Sequence, residues 1–346
     1  MLNSTIKNGG RIALTIIGTT IGAGFASGRE IWEFFTSYGL QSVIGITIAM
    51  ILFSISSMII LWISWKNRTT NYFELLILLM GKRLAKLFDV FIFLYLISGS
   101  IVMFAGSGAT FKQWNIPFLL GVVIIAVAIW LVIIRGVNGL MNLNSLLVPF
   151  LIIIIVFVSY NYVIHHSIIY GDFLRQHLKV WPSAVTYAAF NVISLLGVLS
   201  TMGAKINSKK EIVLGGILSS IGLTLVAIVL NLALLRVHMA QKFEIPLFAL
   251  IEANQEILSV LVTIILWLAI YTTALSNIHG IVSRVQKKVN YSTEKISAIF
   301  IFGMIPLAFI GFSTLVKYLY PFYGVVNLYV LAVLILYPFQ FSSNDL

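Results

Sequence analysis

The chain has 346 residues, of which 60% are hydrophobic and only 10% charged, and its mean hydropathy is +1.04. Soluble domains carry roughly 25% charged residues, so the composition excludes a soluble globular protein and points to an all-α polytopic membrane protein of about ten spans, each needing roughly 20 residues. The net charge of +11 lies in short loops between apolar runs, where it reads as membrane orientation and not as a nucleic-acid surface, and the absence of cysteine excludes disulfides and thiolate metal sites.

Residues Met1–Gly10 lack the apolar stretch and cleavage site of a signal peptide. The first span is expected over about 9–37 and contains the run Gly18-Thr-Thr-Ile-Gly-Ala-Gly-Phe-Ala-Ser-Gly28, followed at once by Arg29 and Glu30. Glycine costs about 1 kcal/mol relative to alanine inside a helix, so the run predicts a break. Inside a bilayer such a break is tolerated only where the freed backbone groups meet protein, water or a ligand, which makes it a candidate for half of a substrate and ion site.

Further spans are expected over about 41–65, 87–111, 117–135, 142–164, 182–204, 211–236, 256–281, 295–313 and 316–338, with a short helix near Tyr72–Met80 in the loop before the third. Pro117, Pro182 and Pro246 fall near element starts, where a helix accepts proline. Lys112, Arg175, Lys179, Arg236, Lys242 and Lys317 then fall on one side. The other Lys and Arg, Arg29 aside, fall on the side of the N-terminus, including Lys287 and Lys288. This bias predicts cytoplasmic termini.

Ten spans divide into a first repeat of about 9–164 and a second of about 182–338, entering the membrane from opposite sides. Spans one and six should then correspond, and both should be interrupted. Span six carries Asn191, Ser194 and Gly197 within an apolar run, which fits either a weaker break or small residues for close helix packing.

The string Gly-Ala-Gly-Phe-Ala-Ser-Gly-Arg-Glu over 22–30 resembles the YkvI-type bacterial membrane proteins, and the resemblance covers nearly the whole chain. It implies the amino acid/polyamine/organocation transporter superfamily and, more widely, the LeuT-like fold of sodium-coupled symporters, with spans one and six unwound and span eight helping to bind sodium. Carried over onto this chain, the resemblance assigns the backbone carbonyls of Gly18, Ile21 and Ala269 and the hydroxyls of Thr272 and Thr273 to one Na+. Oxygen ligands of this kind suit a hard cation. Threonines in membrane helices also bond their own preceding turn, so this pair has an ordinary reading too. Where a second sodium site would need asparagine stands Phe25, which implies a single coupling ion.

Between the breaks a substrate would meet the amides of Ala23, Gly24 and Phe25, with Phe190, Asn191 and Ser194 from span six and Tyr95 from span three. Charges within a span are costly and usually functional. Glu30 could pair with Arg29, gate the vestibule, meet a substrate amine or carry a proton. Glu33 lies a turn further on, near the interface, and Asp89 reads as an interfacial pair with Lys86. His165, His166, His177 and Asp172 match no tight metal motif. No Walker loop, nucleophile elbow or His-Glu-x-x-His run is present, and an enzyme is not expected. The reading is a secondary transporter of a small amino acid-like or amine solute in the bacterial cytoplasmic membrane, coupled to sodium. The partners are lipid and solute, and not nucleic acid. The alternatives are proton coupling through Glu30 and a ligand-sensing membrane subunit related to spore germinant receptors.

Overall fold

A computed structural model describes residues 2–135, 141–168, 173–252, 254–286 and 289–341. Asp172, Lys287 and Lys288 lie outside the described residues. Where the first span was expected, the chain forms α1 (Leu2–Thr20), α2 (Ala23–Ala26) and α3 (Arg29–Phe34) in succession. The remaining helices are α4 (Ser42–Asn67), α5 (Tyr72–Lys112), α6 (Phe118–Arg135), α7 (Met141–His165), α8 (Trp181–Leu199), α9 (Lys209–Leu234), α10 (Glu256–Gln286), α11 (Thr293–Ala308) and α12 (Phe312–Phe341). Seven of these elements contain described stretches long and apolar enough to cross a membrane, and Phe118–Ile134 is a shorter apolar helix.

Helix ends follow the local chemistry. Asn71 Oδ1 accepts from Glu74 N at 3.0 Å, and Glu74 reaches back to Thr70 N at 2.8 Å, so α5 starts with reciprocal capping. Gly81 (φ 75°, ψ 166°) interrupts α5, separating the expected short helix from the long apolar part. Pro182 sits in the first turn of α8, and Pro246 in the first turn of a 3₁₀ segment over Pro246–Leu250.

Two packed groups meet around the break. In one, α1 packs on α9, and α4 on both α8 and α9; in the other, α5 packs on α10 and α6, and α11 on α6. Helix α12 joins them by packing on α8 and α5. The buried side chains form one apolar core, while Leu14, Ile153, Leu225, Ile257 and Phe339 point outward and are largely exposed. Apolar side chains spread over the outer face of helices whose backbone bonds are satisfied internally suit a hydrocarbon solvent and not water.

The expected interruption of span six is not observed. Helix α8 runs unbroken from Trp181 to Leu199. Its polar residues are accommodated without breaking the ladder: Asn191 Nδ2 donates to Tyr187 O one turn back at 3.0 Å, and Ser194 Oγ bonds Tyr95 Oη at 3.1 Å. A lone Gly197 costs only about 1 kcal/mol, too little to open a packed helix. Only after Leu199 does the chain leave the helix, through Ser200–Met202 and a 3₁₀ turn over Gly203–Lys205.

Candidate functional site

The break in the first span is built from its own backbone. Gly22 N–H donates to Thr20 O at 2.9 Å in place of the ladder bond to Gly18, and Gly22 is extended (φ −93°, ψ −173°). The single turn of α2 follows. Ser27 Oγ then accepts from Arg29 N at 3.2 Å and donates to Gly24 O at 2.7 Å, across Gly28 in the left-handed region (φ 79°).

A cavity of about 750 Å³ opens against this break. Its walls include Gly18, Ile21, Ala23, Gly24, Glu30, Tyr95, Phe190, Asn191, Ser194, Ala269, Thr273 and Tyr320. Most of the residues expected at the site are therefore brought together. Phe25, Arg29 and Thr272 are not among them. Phe25 is wholly buried in the core, because the turn of helix that follows Gly22 carries its ring away from the break. Thr272 is buried, and both hydroxyls donate to the Ala269 carbonyl, from Thr272 at 3.1 Å and from Thr273 at 2.8 Å. The back-bonding open to any membrane threonine is thus present in both. On α10 it is Thr273 that faces the cavity.

Glu30 sits where the backbone has no side chain. A Cβ placed on Gly24 would lie 2.1 Å from Glu30 Oε1, so only glycine leaves room for that carboxylate. Tyr187 Oη donates to Glu30 Oε2 at 3.3 Å, and Glu30 is 6% exposed. Arg29 is not its partner. Neighbouring helical residues diverge by about 100°, whereas residues four apart share a face, and Arg29 pairs with Glu33 at 2.5 Å, both side chains 5% exposed. Glu33 is therefore buried within the protein. Arg175 also reaches it, donating to Glu33 O at 2.5 Å and Oε2 at 3.4 Å, and Arg29 donates to Gln241 O and Phe243 O. These bonds tie α3 to Arg175 and to the Gln241–Phe243 segment.

Toward the opposite end, a second cavity of about 1180 Å³ shares Tyr95, Ser194, Thr273 and Tyr320 with the first and extends to Asn71, Asp89 and Arg284. Asp89 forms an ion pair with Arg284, and Tyr72 Oη donates to Asp89 at 2.7 Å. The pairing expected with Lys86 gives way to one across α5 and α10, because Asp89 faces α10. Among the described residues no cluster of three or more His, Cys, Asp or Glu could hold a metal. The rings of His165 and His166 bond Asn161 O and Tyr162 O on their own helix.

Sequence reasoning missed Tyr187 as a ligand of Glu30 and missed Tyr320 altogether. Tyr320 stacks on Phe190 at 4.4 Å, and Tyr95 meets the same ring edge-on at 5.9 Å. The available signal was the run Tyr318-Leu-Tyr-Pro-Phe-Tyr323, dense in hydroxyl-bearing rings for a span.

No family model matches the chain. It is similar to the uncharacterized protein YyaD of Bacillus subtilis, 35% identical over 328 residues and covering 94% of this chain and 95% of that one. It is also similar to the uncharacterized membrane protein YkvI of the same organism, 28% identical over 326 residues and 92% of each chain. Among solved structures, a point mutant of the Eremococcus coleocola manganese transporter aligns over 99% of this chain and 73% of that one, with 15% identity and a TM-score of 0.46. With a first span broken at Gly22, apolar helices throughout and a relative matched over nearly its full length, the chain belongs to the bacterial membrane-protein family of YyaD and YkvI.

Proposed function

We propose that the chain is a secondary transporter of a small organic solute, coupled to a single Na+ and working by alternating access in the bacterial cytoplasmic membrane, with both termini cytoplasmic. The observation that carries this reading is the convergence of Gly18, Ile21, Ala269 and Thr273 on one cavity at the break of the first span. The Gly18 carbonyl freed at the break, with the Ala269 carbonyl and the Thr273 hydroxyl across from it, makes the oxygen-rich setting a hard cation needs. The buried ion-pair network around Glu33 on one side and the cavity that extends to Asp89 on the other fit a fold that opens to one side at a time. A five-plus-five inverted repeat of the LeuT-like kind accounts for the broken first span, although α8 is continuous.

The test is sodium-22 uptake by proteoliposomes in the presence of candidate amino acids and amines. Thr273→Val should remove substrate-dependent sodium uptake. Solute flux that persists with choline in place of sodium and follows an inward proton gradient would overturn sodium coupling. That second outcome has its own support: Glu30 is buried at the break without an ion-pair partner among the described residues, as a proton carrier requires.

A further inference from the structure

We infer that the cavity at the break takes a small organic cation, an ammonium with no required carboxylate, and that Glu30 is its counter-charge. The inference names the substrate class of the transport site proposed above and rests on that reading.

Glu30 is the one charged side chain that lines this cavity among the described residues. Its protein partner is the Tyr187 hydroxyl at the long distance of 3.3 Å. The cation beside it in sequence is already committed, since Arg29 is held by Glu33, Gln241 O and Phe243 O. A lone carboxylate out of water is costly unless a positive charge or a proton meets it, so the cavity itself is where its partner belongs. Gly24 is what lets the carboxylate reach that position.

The remaining walls fit an organic cation better than a zwitterion. No Lys, Arg or His among the described residues lines the cavity to receive a carboxylate. A zwitterion would bring a second negative charge to a site that already holds one, with only the amides of a four-residue helix to offset it. An ammonium meets Glu30 directly, and Tyr95, Phe190 and Tyr320 add ring faces and edges around it. Aromatic rings attract a cation through their quadrupole, most strongly where water is excluded. Neither a proton nor a bare Na+ needs a space of about 750 Å³, which is the size of an organic-ligand site.

Charge class can be read with matched probes on the full-length protein in nanodiscs, at fixed sodium, by calorimetric titration. One set is 3-methylbutan-1-amine, leucine and 4-methylpentanoate; the other is 2-phenylethylamine, phenylalanine and 3-phenylpropanoate. In at least one set the amine should bind tightest, and Glu30→Gln should weaken it by about tenfold or more, the worth of one charge-assisted contact. Tyr187→Phe keeps the charge and should retain amine binding. Gly24→Ala displaces the carboxylate without removing it and should reproduce the loss, which covers the case of a Glu30→Gln protein that fails to fold. Tighter binding of the zwitterion than of its amine in every set that binds, amine binding unchanged by Glu30→Gln, or no binding of any probe overturns the inference. Flux separates it from the transport reading. Amine binding without uptake into proteoliposomes removes transport and keeps the substrate class. Uptake of a zwitterion that the amine does not compete with removes the class and keeps transport.

Discussion

Replacing Gly203 with alanine tests how α4 is seated against the end of α8. A Cβ at that position would lie 2.1 Å from Ser64 O and 2.5 Å from Ser64 C, and these are backbone atoms that no rotamer change can move. The two backbones must part by about 1 Å to admit it. Parting them strains Ser64 Oγ to Ser200 O at 2.8 Å, Thr69 Oγ1 to Ser200 O at 2.7 Å and Arg68 to Gly203 O at 3.2 Å. Overpacking of this kind costs about 1–3 kcal/mol, and each lost bond adds roughly 1 kcal/mol. The sum is about 4–6 kcal/mol, a fall in Tm of roughly 10 °C for a chain of this size. The assay is thermal unfolding of the purified protein in one detergent, beside wild type and Gly197→Ala. Nothing lies within 4 Å of a Cβ at Gly197, inside unbroken α8, so that variant should match or exceed wild type, by up to about 1 kcal/mol. A Gly203→Ala protein within about 2 °C of wild type would refute the close-approach argument. Marked loss in Gly197→Ala would show that α8 needs a break there after all.

Glu33→Ala should destabilise by about 3–5 kcal/mol, because it leaves the buried Arg29 guanidinium without its carboxylate; an unchanged Tm would remove the network at that end as a structural element. Arg284→Met at the other end should cost no more than about 1 kcal/mol in the same assay, since that pair is partly exposed. A loss as large as that of Glu33→Ala would show that the Asp89 end is locked as tightly.

The break in the first span was legible because glycine acts locally: four of them between 18 and 28 oppose a helix whatever surrounds them. Membrane character and most helix positions were legible for a related reason, since hydropathy is a sum over neighbours in sequence. The short helix before Gly81 and the start of α8 at Pro182 follow from single residues with strong backbone preferences. Partners across the fold were not legible. Glu30 and Tyr187 are 157 residues apart, Glu33 and Arg175 142, and Asp89 and Arg284 195, so their meeting depends on which helices pack together. The Arg29–Glu33 pair stands at the i, i+4 spacing of a helix and is legible in the sequence, whereas Glu30, adjacent to Arg29, points about 100° away from it. Asn191 and Ser194 suggested a break in span six because polar residues in a span need partners; α8 supplies those partners without unwinding.

The two ion pairs differ in what dissolved salt can reach. Arg29 and Glu33 are 5% exposed, whereas Arg284 and Asp89 are 21% and 36% exposed. Ionic screening acts over about 10 Å at 0.1 M and weakens exposed pairs far more than buried ones. Raising ionic strength therefore weakens the Arg284–Asp89 pair while leaving the Arg29–Glu33 pair nearly unchanged. The surrounding electrolyte thus acts on one ion pair and spares the other.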